Sequence, residues 1–290
     1  MKIALFARSV HPEDFGLIQK IIKLLDQFNI TPVFYKPFLN RLNNELNINA
    51  ETFDNHNDID QSYNFIFSIG GDGTLLDTLG YAVPNNIPIM GINTGRLGFL
   101  STISPHQIDH ALDCLLNHEY KLEERSLVEL KPATGLFGNF NLALNEISIQ
   151  KSNPTTMLTI NVSVDGEYLN SYWGDGIMIA TPTGSTAYSL SCGGPIMTPD
   201  SKNLIITPIA PHNLTVRPIV VPDTSRISLI IEGRESSFIV GLDSRTQVAT
   251  ADTTLEVSRA EAMAKIVRLP GNHFFTTIRR KLAWGLDLRN

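Results

Sequence analysis

After the apolar run Phe65-Ile66-Phe67-Ser68-Ile69, the chain reads Gly70-Gly71-Asp72-Gly73-Thr74, three glycines and one carboxylate in five residues. Glycines at a strand-to-helix turn let the backbone take left-handed conformations, and phosphate oxygens can approach with no Cβ in the way. The start of the next helix adds unpaired N–H donors and a partial positive charge, which suits a pyrophosphate or triphosphate. A carboxylate beside phosphates repels them unless it has a task there. Asp72 can accept a proton from an attacking hydroxyl or hold a divalent cation. The same residue types also build a plain tight turn with an Asx-type bond. Two other phosphate loops are absent. No glycine is followed by lysine, so there is no Walker A loop, and Leu76 stands where G-x-G-x-x-G needs its third glycine.

A second set of polar residues lies further along. Asn145-Glu146 pairs an amide, able to read an adenine edge, with a carboxylate able to accept from ribose hydroxyls; the plain alternative is a solvated strand glutamate. Thr183, Thr186, Tyr188 and Ser191 surround Gly184 with hydroxyls, and Tyr188 offers a stacking face or else a core side chain. Asp175 lies between Gly174 and Gly176, either as an acceptor for a carboxamide or as a turn aspartate. His106 and His110 have the i, i+4 spacing of two metal ligands on a helix. Gln107, Ile108 and Asp109 lie between them, so no H-E-x-x-H forms, and a surface helix is expected.

The elements that must position these groups change character along the chain. Ile3–Phe6 and Pro32–Tyr35 read as strands around a helical stripe of Phe15, Ile18, Ile21, Ile22, Leu25 and Phe28. Residues 42–62, rich in Asn and Asp, read as loop and short helix. The strand at 65–69 precedes a helix over 74–81, and 87–92 reads as another strand. Strands alternating with helices imply a parallel sheet. Beyond it, 157–164, 227–231, 237–242 and 254–258 read as strands, with Asp165-Gly166 as a hairpin turn. The fold class expected is α/β plus all-β. An α/β phosphate-donor domain spans 1–105, a β-rich, sandwich-like domain spans 106–264, and a C-terminal segment over 265–290 packs back on the first.

The composition fits such a protein. Of 290 residues 42% are apolar and 18% charged, as in a globular chain. The net charge of −6 disfavours nucleic acid and anionic membranes as partners. Cys114 and Cys192 form no C-x-x-C and suit a reducing compartment. The N-terminal apolar run is too short for a signal peptide and no stretch is long enough to span a bilayer, so a cytoplasmic location is expected.

The motifs, taken in order, also carry a resemblance. Gly70–Thr74 resembles the Gly-Gly-Asp-Gly-Thr signature of NAD kinases and diacylglycerol-type lipid kinases, found in related form in phosphofructokinases. Four further segments resemble the NAD kinase family in particular: Asn93-Thr94-Gly95-Arg96-Leu97-Gly98-Phe99-Leu100, Asn145-Glu146, Gly174–Gly176 with 181–195, and Arg279–Gly285. That resemblance implies phosphoryl transfer from ATP, or from polyphosphate, to the 2′-hydroxyl of the adenosine ribose of NAD, with Mg²⁺ or another divalent cation. Asp72 would be the base, and Asp72 and Gly73 would belong to the binding loop. Asn145, Thr186, Ala187, Tyr188 and Ser191 would line the adenosine subsite, with Glu146 beside the ribose. Asp175, Thr183 and Ala210 would lie near the second nucleoside, partly across a subunit contact, which implies a homodimer or homotetramer. Two positions depart from the family pattern: Trp173 stands where many bacterial members carry a basic residue, and Arg245 where many relatives carry glutamine.

Overall fold

The computed structural model describes residues 1–95, 98–132, 135–232, 237–250 and 253–284. Arg96, Leu97 and Gly285, which belong to segments singled out from the sequence, lie outside the described residues.

Two compact units result, Met1–Glu124 with Ala264–Asn290, and Arg125–Met263. The first is built from β1 (Lys2–Phe6), α1 (Phe15–Gln27), β2 (Thr31–Tyr35), α2 (Lys36–Leu42), β3 (Glu51–Phe53), β4 (Phe65–Ile69), α3 (Asp72–Ala82), β5 (Ile89–Ile92) and α4 (Ile108–Leu116). Its strands pair in parallel in the order β3-β2-β1-β4-β5. β4 is buried at every position, as a strand covered on both faces must be. The direction of winding reverses between β1 and β4. The loops after these two strands therefore flank a topological switch point, where open α/β sheets bind ligands.

The first unit reaches further than the 105/106 boundary expected from sequence, because α4 belongs to it. Ile108, Ala111, Leu112 and Leu115 join Ile18, Ile21 and Leu25 of α1 in one core cluster. α2, only seven residues long, and β3, inside the Asn-rich stretch with only Phe53 buried, are elements that the sequence does not announce. His106 falls in a 3-10 turn and His110 in α4, where its ring lies 3.5 Å from Cys114 Sγ. Among the described residues no group of three or more His, Cys, Asp or Glu could hold a metal.

The chain passes into the second unit within β6 (Lys121–Lys131) and continues through β7 (Leu142–Ala143), β8 (Glu146–Lys151), β9 (Leu158–Val164), β10 (Glu167–Ala180) and the single turn α5 (Tyr188–Ser191). Then come β11 (Asn203–Pro211), β12 (Ile219–Pro222), β13 (Ile227–Glu232), β14 (Ser237–Leu242), β15 (Arg245–Thr250) and β16 (Thr254–Arg268). The pairing is antiparallel. Asp165 and Gly166 join β9 to β10 with φ of 52° and 86°, the mirror-image turn that matches strand twist.

β10 serves two ladders. Its first half pairs with β9, which continues to β13 and β16, and its second half lies between β8 and β11. The changeover is at Gly174, where a Cβ would sit 2.9 Å from the Ala210 carbonyl oxygen. Ile147, Ile149, Ile160, Val162, Ile177, Ile179, Leu229 and Phe238 fill one core. After Ala264 the chain returns to the first unit, where Ile266 pairs in parallel with Ile89 of β5. There α6 (Phe274–Leu282) buries Ile278. No described helix is long and apolar enough to cross a membrane.

Candidate functional site

In the first unit, β4 ends at Ile69 and α3 begins at Asp72, with Gly71 as its N-cap and no side chain bonded to that cap. Gly70 is tied to the neighbouring strand by its N–H to the Ile92 carbonyl, and it adopts a φ of 148°. A Cβ there would strike Thr74 Oγ1 at 2.4 Å, so packing alone accounts for this glycine. Gly71 and Gly73 differ. A Cβ on either meets no atom of the described residues within 4 Å and neither has positive φ, so packing among those residues gives no reason for them. A ligand lying against the backbone would.

The Asp72 carboxylate does not point freely into solvent. Oδ2 accepts from the Phe99 N–H at 2.8 Å, and Oδ1 accepts from Leu100 at 3.0 Å and Ser101 at 2.9 Å. Gly98 makes room for this arrangement, since a Cβ on it would fall 1.9 Å from Oδ1. The same peptides are gripped from the other side by Arg268. Its guanidinium donates to the carbonyls of Phe99 and Leu100 at 3.1 and 3.2 Å, to Thr102 Oγ1 at 3.0 Å, and to Glu123 at 2.7 Å. Segment 98–102 is thereby held by a carboxylate on its N–H groups and a cation on its carbonyls, charge-assisted bonds in both directions. Sequence reasoning found Asp72 and Gly73 but neither the backbone triad nor Arg268. The partners lie 27 to 29 and about 170 residues away, with no local signal.

In the second unit, Asn145 and Glu146 open β8. The turn after β10 is stitched to them. Thr181 N–H donates to the Asn145 carbonyl at 2.9 Å, Thr181 Oγ1 donates to the Leu144 carbonyl, and a Cβ on Gly184 would sit 2.0 Å from that Asn145 oxygen. Asp243 closes the other side. At φ 53° its carboxylate accepts from the N–H groups of Leu144, Asn145 and Glu146 at 2.8, 2.7 and 3.2 Å. Burial pushes the Asp243 carboxyl up, against the pull of these donors and of Arg245. Glu146 is 9% exposed, and among the described residues its Oε2 has no hydrogen-bond partner. Burial first, and the Asp243 charge second, push its carboxyl up to about 8.

The other expected residues divide. Tyr188, partly exposed, lies within electrostatic reach of Cys192, Asp175 and Glu146. Thr186 Oγ1 donates to the Thr183 carbonyl at 3.2 Å, and Ala187 N–H donates to Gly184 at 2.9 Å, so these shape the turn. Thr183 is buried and accepts from Arg125 at 3.2 Å, while Ser191 is exposed. Asp175 pairs with Lys151 Nζ at 2.6 Å. Ala210 is exposed with a φ of 43°, and the Trp173 and His212 rings meet at 4.2 Å between centres, tilted by 43°. Arg245 donates to the carbonyls of Phe140 and Leu142 and lies over the Phe140 ring, which makes it a support for the β7 region. Sequence reasoning marked the segment Asp243-Ser244-Arg245 but gave Asp243 no role, and it missed Arg125. An aspartate at the β14–β15 turn is one of the few residues that tolerate positive φ, and that was the available signal.

A glycine turn at the end of a parallel strand, with a carboxylate fixed beside it and a second, antiparallel unit, suits a phosphotransferase. Residues 7–120 match the ATP-NAD kinase N-terminal domain and residues 144–269 the ATP-NAD kinase C-terminal domain. An NAD kinase of Flavobacterium johnsoniae is 42% identical over the whole of both chains, and one of Bacteroides fragilis is 38% identical over the same extent. Among solved structures, a yeast NADH kinase complexed with NADH superposes with a TM-score of 0.85 at 22% identity, covering 100% of this chain and 89% of that one. An NAD kinase from Archaeoglobus fulgidus in complex with ATP superposes with 0.75 at 26%, covering 98% and 99%. The chain belongs to the NAD kinase family.

Proposed function

We propose that this chain is an NAD kinase that transfers the γ-phosphoryl group of ATP to the 2′-hydroxyl of the adenosine ribose of NAD, giving NADP. The observation that carries the reading is the Asp72 carboxylate, oriented by three backbone N–H groups beside two glycines that face open space. A carboxylate has about four acceptor positions. Among the described residues three are taken, two on Oδ1 and one on Oδ2, so Oδ2 keeps a position for the proton of the attacking hydroxyl. The first-turn N–H groups of α3 receive phosphate oxygens. Phosphoryl transfer of this kind asks the protein mainly for position and charge.

A divalent cation fits the donor set as one that arrives on the nucleotide. The described residues hold no metal-ligating cluster, so phosphate oxygens and water would supply its ligands, with Asp72 as the protein carboxylate beside it. When bound, it neutralises charge on the β- and γ-phosphates. For the acceptor, Asn145, Thr186, Ala187, Tyr188 and Ser191 receive adenosine, and Glu146 receives the ribose diol. Support comes from the unpartnered Oε2 of Glu146: protonated at neutral pH, this carboxyl offers one O–H donor and acceptor lone pairs to a sugar hydroxyl. Asp175, Thr183 and Ala210 serve the second nucleoside in a homodimer or homotetramer. The two free cysteines agree with a cytoplasmic setting.

The test supplies purified protein with NAD, ATP and Mg²⁺ and follows NADP through a coupled NADP-specific dehydrogenase. Polyphosphate replaces ATP in a parallel arm. Asp72→Asn is expected to abolish turnover while NAD binding, measured by calorimetry, persists. Retained turnover in that variant would remove Asp72 from the proton transfer.

A further inference from the structure

Two loops flank the switch point of the parallel sheet, the glycine-rich turn after β4 and the loop after β1. The two strands are direct neighbours, with Phe6 opposite Ser68. Arg8 therefore lies two residues beyond the paired end of β1, as Gly70 lies two beyond the paired end of β4. Its guanidinium stands 3.4 Å from Asp77 Oδ2. Asp77 follows Gly73 by four residues on α3, so the two share one face of the helix, a single turn apart. Among the described residues nothing crowds that face at Gly73. Arg41, in the last turn of α2, donates to the Arg8 carbonyl and fixes the backbone from which the side chain hangs. The side chain itself is 67% exposed. An exposed ion pair of this length is weak, so Asp77 parks the guanidinium without consuming it.

We propose that Arg8 is a clamp on the phosphate chain of the donor nucleotide, leaving Asp77 to pair with phosphate oxygens laid along Gly71–Gly73. This rests on the kinase reading above. The chemistry favours it. A guanidinium is always charged and meets two phosphate oxygens at once. A chain of net charge −6, with Asp72 and Asp77 both on α3, requires a local cation to hold a polyanion there. Asp77 orients the arginine between turnovers, and Arg41 keeps its root in place.

The test is calorimetry without NAD, titrating the non-hydrolysable triphosphate adenylyl imidodiphosphate with Mg²⁺, and separately AMP, into wild type, Arg8→Ala, Arg8→Lys and Asp77→Asn. Arg8→Ala is expected to weaken the triphosphate at least about tenfold and leave AMP unchanged, with KM for ATP raised and KM for NAD unaltered. Arg8→Lys should recover part of the loss, and Asp77→Asn should bind the triphosphate at least as tightly as wild type. Equal losses for AMP and triphosphate, no loss at all, or a loss in Asp77→Asn as large as in Arg8→Ala would each overturn the clamp. The two readings separate. A wild type that makes NADP with Arg8→Ala unaffected sinks the clamp alone. A wild type that makes none, with triphosphate binding still lost in Arg8→Ala, sinks the kinase reading alone.

Discussion

A variant with Glu146 replaced by glutamine should gain stability markedly, relative to wild type, as the pH climbs from 5 to 9. The folded-state carboxyl sits at about 8 because it is buried and faces Asp243, whereas its ordinary value is 4.5. A raised folded-state value means that the native chain binds the proton more tightly than the unfolded one. Its contribution is fully present below 4.5 and is lost as the pH climbs through 8. Across pH 5 to 9 the two values imply that wild type loses about 4 kcal/mol from this group alone. That is an upper limit, since water entering around the ionised carboxylate relaxes part of it. Glutamine does not titrate, so the variant lacks this slope. Any cost of burying its amide without a partner, about 1–3 kcal/mol, is the same at every pH and shifts the curve without tilting it. Urea unfolding of both proteins at five pH values between 5 and 9, with equal m-values, measures the difference directly. A difference that stays constant across that range would refute the reasoning.

Two glycines supply further tests. Gly98→Ala puts a methyl where Asp72 Oδ1 now sits, 1.9 Å from it. The carboxylate must move, and kcat should fall by about a hundredfold or more, the scale that a displacement near 1 Å costs, with the thermal midpoint little changed; full activity would mean that the anchored pose of Asp72 is dispensable. Gly184→Ala drives a methyl into the Asn145 carbonyl, 2.0 Å away. It should raise KM for NAD well above any change in KM for ATP, and an equal rise in both would count against Asn145 as an acceptor contact.

How much of this was legible in the sequence differs between motif and surroundings. The strand, turn and helix from Phe65 to Ala82 can be read directly, because a buried β-branched and aromatic run, three glycines and helical spacing are all local signals. So can the Asp165-Gly166 hairpin, since few other dipeptides accept two positive φ values. What fixes Asp72 is not local. Phe99, Leu100 and Ser101 act through backbone N–H groups, which every residue but proline possesses, so side-chain identity carries no trace of the role. The extent of the first unit was hidden for a related reason. An amphipathic α4 announces that it packs, through Ile108, Leu112 and Leu115, but not against which core. β3 shows no alternation to read, and β10 is a single strand in sequence that serves two ladders in space.

The grip of Arg268 on segment 98–102 has a consequence for synthesis. β1 to α4 are complete once residue 116 has been made, yet the residue that braces the Asp72 cradle comes about 150 positions later. At roughly 5–20 residues per second on the ribosome, on the order of ten seconds pass between the synthesis of segment 98–102 and the arrival of the arginine that grips its carbonyls. Termination between residue 116 and Arg268 would leave the glycine turn and segment 98–102 in the chain but remove the guanidinium that grips that segment.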